Sequence, residues 1–448
     1  MQSIEGFDFF PLSFNRDGNL EQPGQFDELR EHVQTSGATE AIFLAHGFRN
    51  SAIDATGLYT NFLKTFRVHM SRPELRDKLA GRKFAVAGVY WPSLAFQETF
   101  GTGEGSVMSA DPSLAQMEAA RAQLEQLKQT EASPELKSKL DEASKLLPRV
   151  ETDPDAQDKF VTLVLSLLKD GDSDPTEGLP QIRSKPGSEL FEKLSTPIIL
   201  PTKRADSDGG AMGMGEMFIP GGDGGAQSFG SLVSSAAGRV GQFLNFTTWY
   251  VMKERSGTVG GNGVAKAVRD LKTAKPTLKI HLVGHSLGGR LMAACAKSLA
   301  QPPKVQPDSL TLLEAAFSHY GFSDNNGQGT PGFFRAVIDN KVVKGPFVAT
   351  FSYQDTVVGQ AYAISSRLAG DNVKAIGDAN DPFGGIGRNG AQKTAESAVA
   401  AFHAPGSVYT FKPGVVNCID GSGGFIKDHG DVTNENVTYV FASAVAAT

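Results

Sequence analysis

Cysteine is nearly absent from this chain, with only Cys295 and Cys418 among 448 residues. Two thiols build no disulfide framework, and no C-x-x-C pair or Cys/His cluster marks a zinc site, so no metal or other cofactor is expected. No apolar run reaches the roughly 18 residues that a transmembrane helix needs. The start, MQSIEGFDFFPLSFNRDG, lacks a basic segment followed by an apolar stretch and does not read as a secretory signal. A reducing cytoplasm is therefore the default compartment, with signal-independent secretion left open. An excess of basic charge is missing too. Lys and Arg number 43 against 49 Asp and Glu, a formal charge of −6, which argues against gripping nucleic acid.

What is present suits a large folded core: 40% of residues are hydrophobic and 21% charged. The length is about three times a common ~150-residue domain, so one large domain or two are both compatible with it. Short runs, mostly apolar on both alternating positions, read as strands buried on two faces: Ala41–Leu44, Phe84–Val89, Ile280–Val283, a weaker Leu310–Leu313, and Phe347–Phe351. Val408–Phe411 or Val415–Ile419 adds one more. Helical patterns lie between them at Ala52–Phe66, Leu287–Leu299 and Val358–Leu368. Strand, loop, helix, repeated, predicts an α/β fold with a mostly parallel sheet.

Residues 98–230 break that rhythm. Residues 114–130 are strongly helical, and Ser133-Pro134-Glu135 caps a second helix running to Leu147. A third, Ala156–Lys169, carries the apolar face Phe160, Leu163, Val164, Leu167 and Leu168. Gly209–Gly230 is glycine-rich, with Met212, Met214, Met217 and Phe218 among the glycines. The expectation is a core of residues 1–97 and 231–448 with a helical, Gly-rich cap or lid inserted at 98–230.

The most informative segment is Lys279-Ile-His-Leu-Val-Gly-His-Ser-Leu-Gly-Gly-Arg290. A strand runs into Gly284-His285-Ser286-Leu287-Gly288 and a helix follows at once, which is G-x-S-x-G in the context the motif needs. The serine must sit on a tight, strained turn, and large side chains two positions away would collide with it. Ser286 is the expected nucleophile, with His285 shaping the pocket wall. A second strand ends in His46-Gly47, where the chain turns sharply. Acyl transfer needs two preorganised N–H donors for the developing oxyanion. Leu287 N–H and Phe48 N–H are placed to supply them, with His46 as a structural residue of the loop.

These segments resemble the α/β-hydrolase superfamily, in which an H-G motif follows the third core strand and the G-x-S-x-G turn follows the fifth. AIFLAHGFRNSAIDA, VYWPS, and IHLVGHSLGGRLM followed by LLEAA are more closely similar to a bacterial group of lipase-like hydrolases. That group shares a strand-H-G-[FY]-x-N-S loop and a W-P-S motif. The likeness covers roughly residues 38–95 and 275–448 and leaves the insertion unexplained. It implies a mostly parallel sheet of about eight strands with helices on both faces, and the chain order Ser, acid, His. Asp355, in Ser352-Tyr-Gln-Asp-Thr-Val-Val358, resembles the S-x-x-D-x-V-V acid loop, with Asp381 and Asp420 as alternatives. His429, in Lys427-Asp-His-Gly-Asp-Val432, stands where such proteins place the base, with His403 and His319 as competitors. The resemblance then puts His429 within hydrogen-bond reach of both Ser286 and Asp355, while Asp428 and Asp431 meet solvent or the loop backbone.

Other signals are weak. Asp170-x-Asp172-x-Asp174 starts like a calcium loop, but Pro175 and Gln181 stand where Gly and Glu are needed, so a solvated turn is expected. Gly260-Gly-Asn-Gly263 follows no buried strand and is no phosphate loop. The resulting expectation is a serine hydrolase of carboxylic esters. A lipase or phospholipase is favoured because the insertion could cover an apolar cleft. The alternatives are a small-molecule carboxylesterase, an inactive scaffold used for binding, and a secreted antibacterial effector with the same triad. The expected partner is a small-molecule or lipid ester, with no nucleic acid, no integral membrane segment, and at most a transient contact with a lipid interface.

Overall fold

The computed structural model describes residues 1–93, 112–131, 133–168, 174–195, 200, 236–370 and 378–448. Among them, nine strands form one sheet. In chain order they are β1 (Gln2–Ile4), β2 (Phe7–Ser13), β3 (Glu40–Ala45), β4 (Phe84–Tyr90), β5 (Lys279–His285), β6 (Ser309–Leu313), β7 (Phe347–Phe351), β8 (Ser397–Ala401) and β9 (Val416–Asp420). Across the sheet the order is β1-β2-β4-β3-β5-β6-β7-β9-β8. Only β1 is antiparallel to its neighbour; the other pairings are parallel. The architecture is mixed α/β with a mostly parallel sheet.

The central strands are mostly apolar because both faces are covered. Ile42, Val86, Val283, Leu313 and Val348 join a core with Tyr59, Phe62 and Phe66 of helix Ala52–Met70 and with Val440, Phe441 and Ala444 of helix Glu435–Ala446. Phe66 sits against Phe7, Phe84 and Phe441 at ring-centroid distances of 5.6, 5.5 and 5.2 Å. Each aromatic buried this way contributes roughly 1.5–3 kcal/mol. The alternate residues Phe43, Leu282 and Leu312 are equally buried. The Gly260–Gly263 run forms a π-helical turn, Val259–Val264, packed on helix Leu287–Leu299.

β1, β2 and β8 were not among the expected strands. β2 contains Pro11, which normally argues against a strand. Its pairing with β1 stops at Phe7–Phe9, so Pro11 has a strand partner, Gly88, on one side only, as in an edge strand where proline is tolerated. β8, Ser-Ala-Val-Ala-Ala, is an exposed edge strand of poor β formers. β1 has three residues.

The chain divides into two compact units. One comprises Met1–Ser93, Arg255–Val358 and Gly384–Thr448; the other, Leu94–Glu254 and Gly359–Phe383. The second unit thus extends beyond the expected 98–230 at both ends and takes in a segment downstream of Asp355. A buried charge cluster explains the recruitment. Lys253 bonds to the Glu177 carboxylate, donates to Tyr362 Oη at 2.7 Å, and lies 3.9 Å from the centre of the Trp249 ring. The remaining Glu177 oxygen accepts from Tyr362 at 2.9 Å.

The second unit is helical where described, with Pro112–Thr130, Pro134–Val150, Pro154–Leu165 and Gly187–Lys193. On the apolar face of Pro154–Leu165, Phe160 packs inside this unit on Phe191 and Phe243 at 6.3 and 6.5 Å, while Leu163 is half-buried. Asp174 corrects the expectation of a solvated turn. It is buried, accepts from the Thr176 amide at 2.9 Å, and burial pushes its carboxyl up to about 6. The Gly209–Gly230 stretch and residues 169–173 lie outside the described residues. Among the described residues, no helix is long and apolar enough to cross a membrane.

Candidate active site

Because β3, β5, β6, β7 and β9 are parallel, the loops after them emerge at one edge of the sheet. Three non-glycine residues in the left-handed region follow neighbouring central strands there: Arg49 (φ 60°), Ser286 (φ 57°) and Glu314 (φ 41°). Such strain persists only where the surroundings over-determine it, and it clusters at functional sites.

Ser286 has φ 57° and ψ −123° between β5 and helix Leu287–Leu299. Its amide donates to Leu313 O at 3.0 Å, and its carbonyl accepts from Ala316 N at 3.0 Å, so β6 and the segment just after it pin the turn on both sides. The flanking glycines are required by close approach. A Cβ on Gly284 would stand 2.2 Å from Gly288 O, and one on Gly288 would stand 2.4 Å from both Ala45 O and His46 O. A Cβ on Gly47 would lie 2.9 Å from Ser286 Cβ, so the loop after β3 touches the serine directly.

That loop is held by His46 and the W-P-S segment. Tyr59 Oη receives the His46 amide at 3.1 Å and donates to Val89 O at 2.5 Å. Trp91 stacks on the His46 ring at 5.6 Å and donates its indole N–H to His46 O at 3.0 Å. His46 Nδ1 lies 3.0 Å from Gly47 O, so that nitrogen carries the proton, and burial lowers the imidazole to about 4. His46 is a neutral structural residue. Ser93 takes up the next amides: its carbonyl receives Arg49 N–H at 3.2 Å and its hydroxyl receives Asn50 N–H at 3.2 Å. The Phe48 amide donates to none of the described residues. Leu287 N–H is in the first helical turn, where no intrahelical carbonyl is available.

Asp355 and His429 come together from loops after β7 and β9. His429 Nδ1 lies 2.8 Å from Asp355 Oδ2. Because a carboxylate accepts, Nδ1 carries the proton, and Nε2 keeps the lone pair a general base needs. Asp355 is fully buried, and its Oδ1 accepts from Val358 N–H at 2.9 Å in the first turn of helix Thr356–Ala369. No hydrogen bond joins Ser286 Oγ to His429 Nε2 among the described residues; the expected contact is formed on the Asp355 side only. Bonds of this kind are often long without substrate and tighten in the reacting complex. Asp428 and Asp431 serve the loop itself, accepting from Gly430 N at 2.8 Å and Lys427 N at 3.1 Å.

Comparison with protein families, curated proteins and solved structures finds no match.

The other candidates are engaged elsewhere. Asp381 belongs to the second unit and accepts from Ser366 Oγ at 2.7 Å. Asp420 caps Ser422 N at 3.0 Å. His319 pairs with Asn389 Nδ2 at 3.2 Å, and His403 lies against Tyr409 at 5.3 Å.

Two residues without a role in the sequence reading belong to the site. Arg388 is buried and donates to the carbonyls of Tyr353 and Asp355, bracing the acid loop. Its distance along the chain hides it. Glu314, just after β6, is fully buried; Oε1 accepts from Thr350 Oγ1 at 3.3 Å and Oε2 has no partner among the described residues. Burial, then repulsion by Asp355, holds its carboxyl well above the usual range. It stands in the LLEAA run, where an acid directly after a buried strand was the available signal.

Proposed function

We propose that the chain is a serine hydrolase of carboxylic esters, working through an acyl-enzyme. The observation that carries this reading is the strained Ser286 turn at the same sheet edge as an Asp355–His429 pair already in the base-competent tautomer. The strand order and the placement of the two loops also favour the α/β-hydrolase assignment.

In this mechanism Ser286 Oγ attacks the acyl carbonyl while His429 Nε2 takes its proton. The imidazolium so formed is stabilised by Asp355. Charge developing on the carbonyl oxygen is met by the Phe48 and Leu287 amides, neither committed to another described residue. His429 then protonates the leaving alcohol and later activates water against the acyl-enzyme. Lipid esters are the proposed substrates within this class. The support is the helical insertion together with the Met-, Phe- and Gly-rich composition of residues 209–230. Turnover of p-nitrophenyl esters of graded chain length tests both levels. Ser286→Ala is expected to lose roughly 10⁴–10⁶-fold in kcat while remaining folded. Near-normal turnover in that variant rejects the hydrolase, and a preference for acetyl over long acyl chains rejects the lipid substrate alone.

A further inference from the structure

His285, the last residue of β5 and the neighbour of Ser286, has a bond that the mechanism above does not use. Its Nε2 lies 2.8 Å from the main-chain oxygen of His429. A carbonyl only accepts, so Nε2 carries the proton and Nδ1 is the bare nitrogen. Nδ1 is buried without a partner among the described residues, in the space beside Gly47, where a Cβ would come within 3.1 Å of it. The two imidazoles stand 4.7 Å apart, centre to centre, at 43°.

We infer that His285 is a positioning residue for the general base, fixing the main chain of His429 to the strand that carries the nucleophile. The inference rests on the serine-hydrolase reading. Asp355 orients the ring of His429 through Nδ1, but a ring bond alone leaves the loop free to carry the residue toward or away from Ser286. The loop is tied at its flanks, where Ile426 O accepts from Ser352 Oγ at 3.1 Å and Asp431 O accepts from Asn434 Nδ2 at 2.8 Å. His285 supplies the tie at His429 itself. Consecutive residues of one strand end then present the nucleophile and hold the backbone of the base, so their spacing is set by one rigid element.

The device needs a neutral His285, because His429 becomes a cation during acylation a few ångströms away. Burial first, then the neighbouring His429, lowers the His285 imidazole to about 3. The titratable groups facing it are His429 from the loop after β9 and His46 from the end of β3. It therefore keeps its donor and its neutrality near neutral pH.

The test uses the full chain, with kcat and KM for a p-nitrophenyl ester and the rate of covalent fluorophosphonate labelling at Ser286. His285→Leu removes the donor and is expected to lower kcat and the labelling rate about 10–100-fold with little change in KM, as misplacement of a base by an ångström does. His285→Gln, whose amide N–H reaches the same carbonyl, should recover most of the loss. Nitrogen NMR of ¹⁵N-histidine-labelled wild type should show His285 protonated at Nε2, bare at Nδ1, and unchanged from about pH 5 to 9. Wild-type kinetics in His285→Leu, or a His285 that is protonated at Nδ1 or titrates near neutrality, overturns the inference. The NMR arm decides the case if the Leu variant does not fold. Failure of wild-type Ser286 to label rejects the hydrolase reading instead, and the NMR result still reports on the His285–His429 bond.

Discussion

Glu314 shows how one buried carboxyl responds to its neighbours. Its folded-state pKa is raised by burial and by the nearby Asp355, Asp431 and Asp428, so it favours folding below the unfolded value of 4.5 and loses that contribution as pH rises. Glu314→Gln keeps the shape and removes the titration. Thermal melts should therefore show the variant gaining on the wild type as pH rises above about 4.5, at no more than about 1.4 kcal/mol per pH unit. A constant difference across that range contradicts a protonated Glu314. Asp355 and His429 belong to the same scale. His429→Ala should approach Ser286→Ala in its loss of kcat, and Asp355→Asn should lose somewhat less, about 10³–10⁴-fold, through the wrong tautomer. Steady-state kinetics with a short-chain ester check both. Ser286 was legible because its motif is local and steric: glycine two positions away on each side, strand before, helix after. Arg388 and Glu314 were not, because bracing and repulsion act across residues distant in the chain.

Strand legibility followed apolar content more than burial itself: β6 is fully buried, yet Ser309 and Thr311 weaken its run. β3, β4, β5 and β7 announce themselves because both faces need apolar residues, whereas β2 tolerates Pro11 beside an unpaired edge and β8 is exposed. The division into two compact units departs from the expected 98–230 limits for a related reason. Helix Ala236–Thr258 runs through position 254 without a break, and the contact that draws its first part into the second unit is made by Lys253, Glu177 and Tyr362, far apart in sequence. That contact yields a prediction. Lys253→Met removes the cation that bonds the buried Glu177 carboxylate and should destabilise by about 3–5 kcal/mol in urea unfolding. Adding Glu177→Gln should return a large part of the loss. Additive losses in the double variant contradict a coupled pair.

At the scale of the whole molecule, the sheet gathers residues from four distant segments, near positions 48, 286, 355 and 429, at the ends of parallel strands. Chain order and the Gly-His-Ser-Leu-Gly turn were enough to name the segments, while the distances between them are set by sheet register, which no local pattern encodes. The central claim is that Ser286 is an activated nucleophile, and covalent labelling measures that directly. Wild-type protein incubated with a fluorophosphonate and analysed by peptide mass spectrometry should carry one adduct, on Ser286, and Ser286→Ala should carry none. An unlabelled wild type, or an adduct that persists on another serine in the Ala variant, contradicts the account.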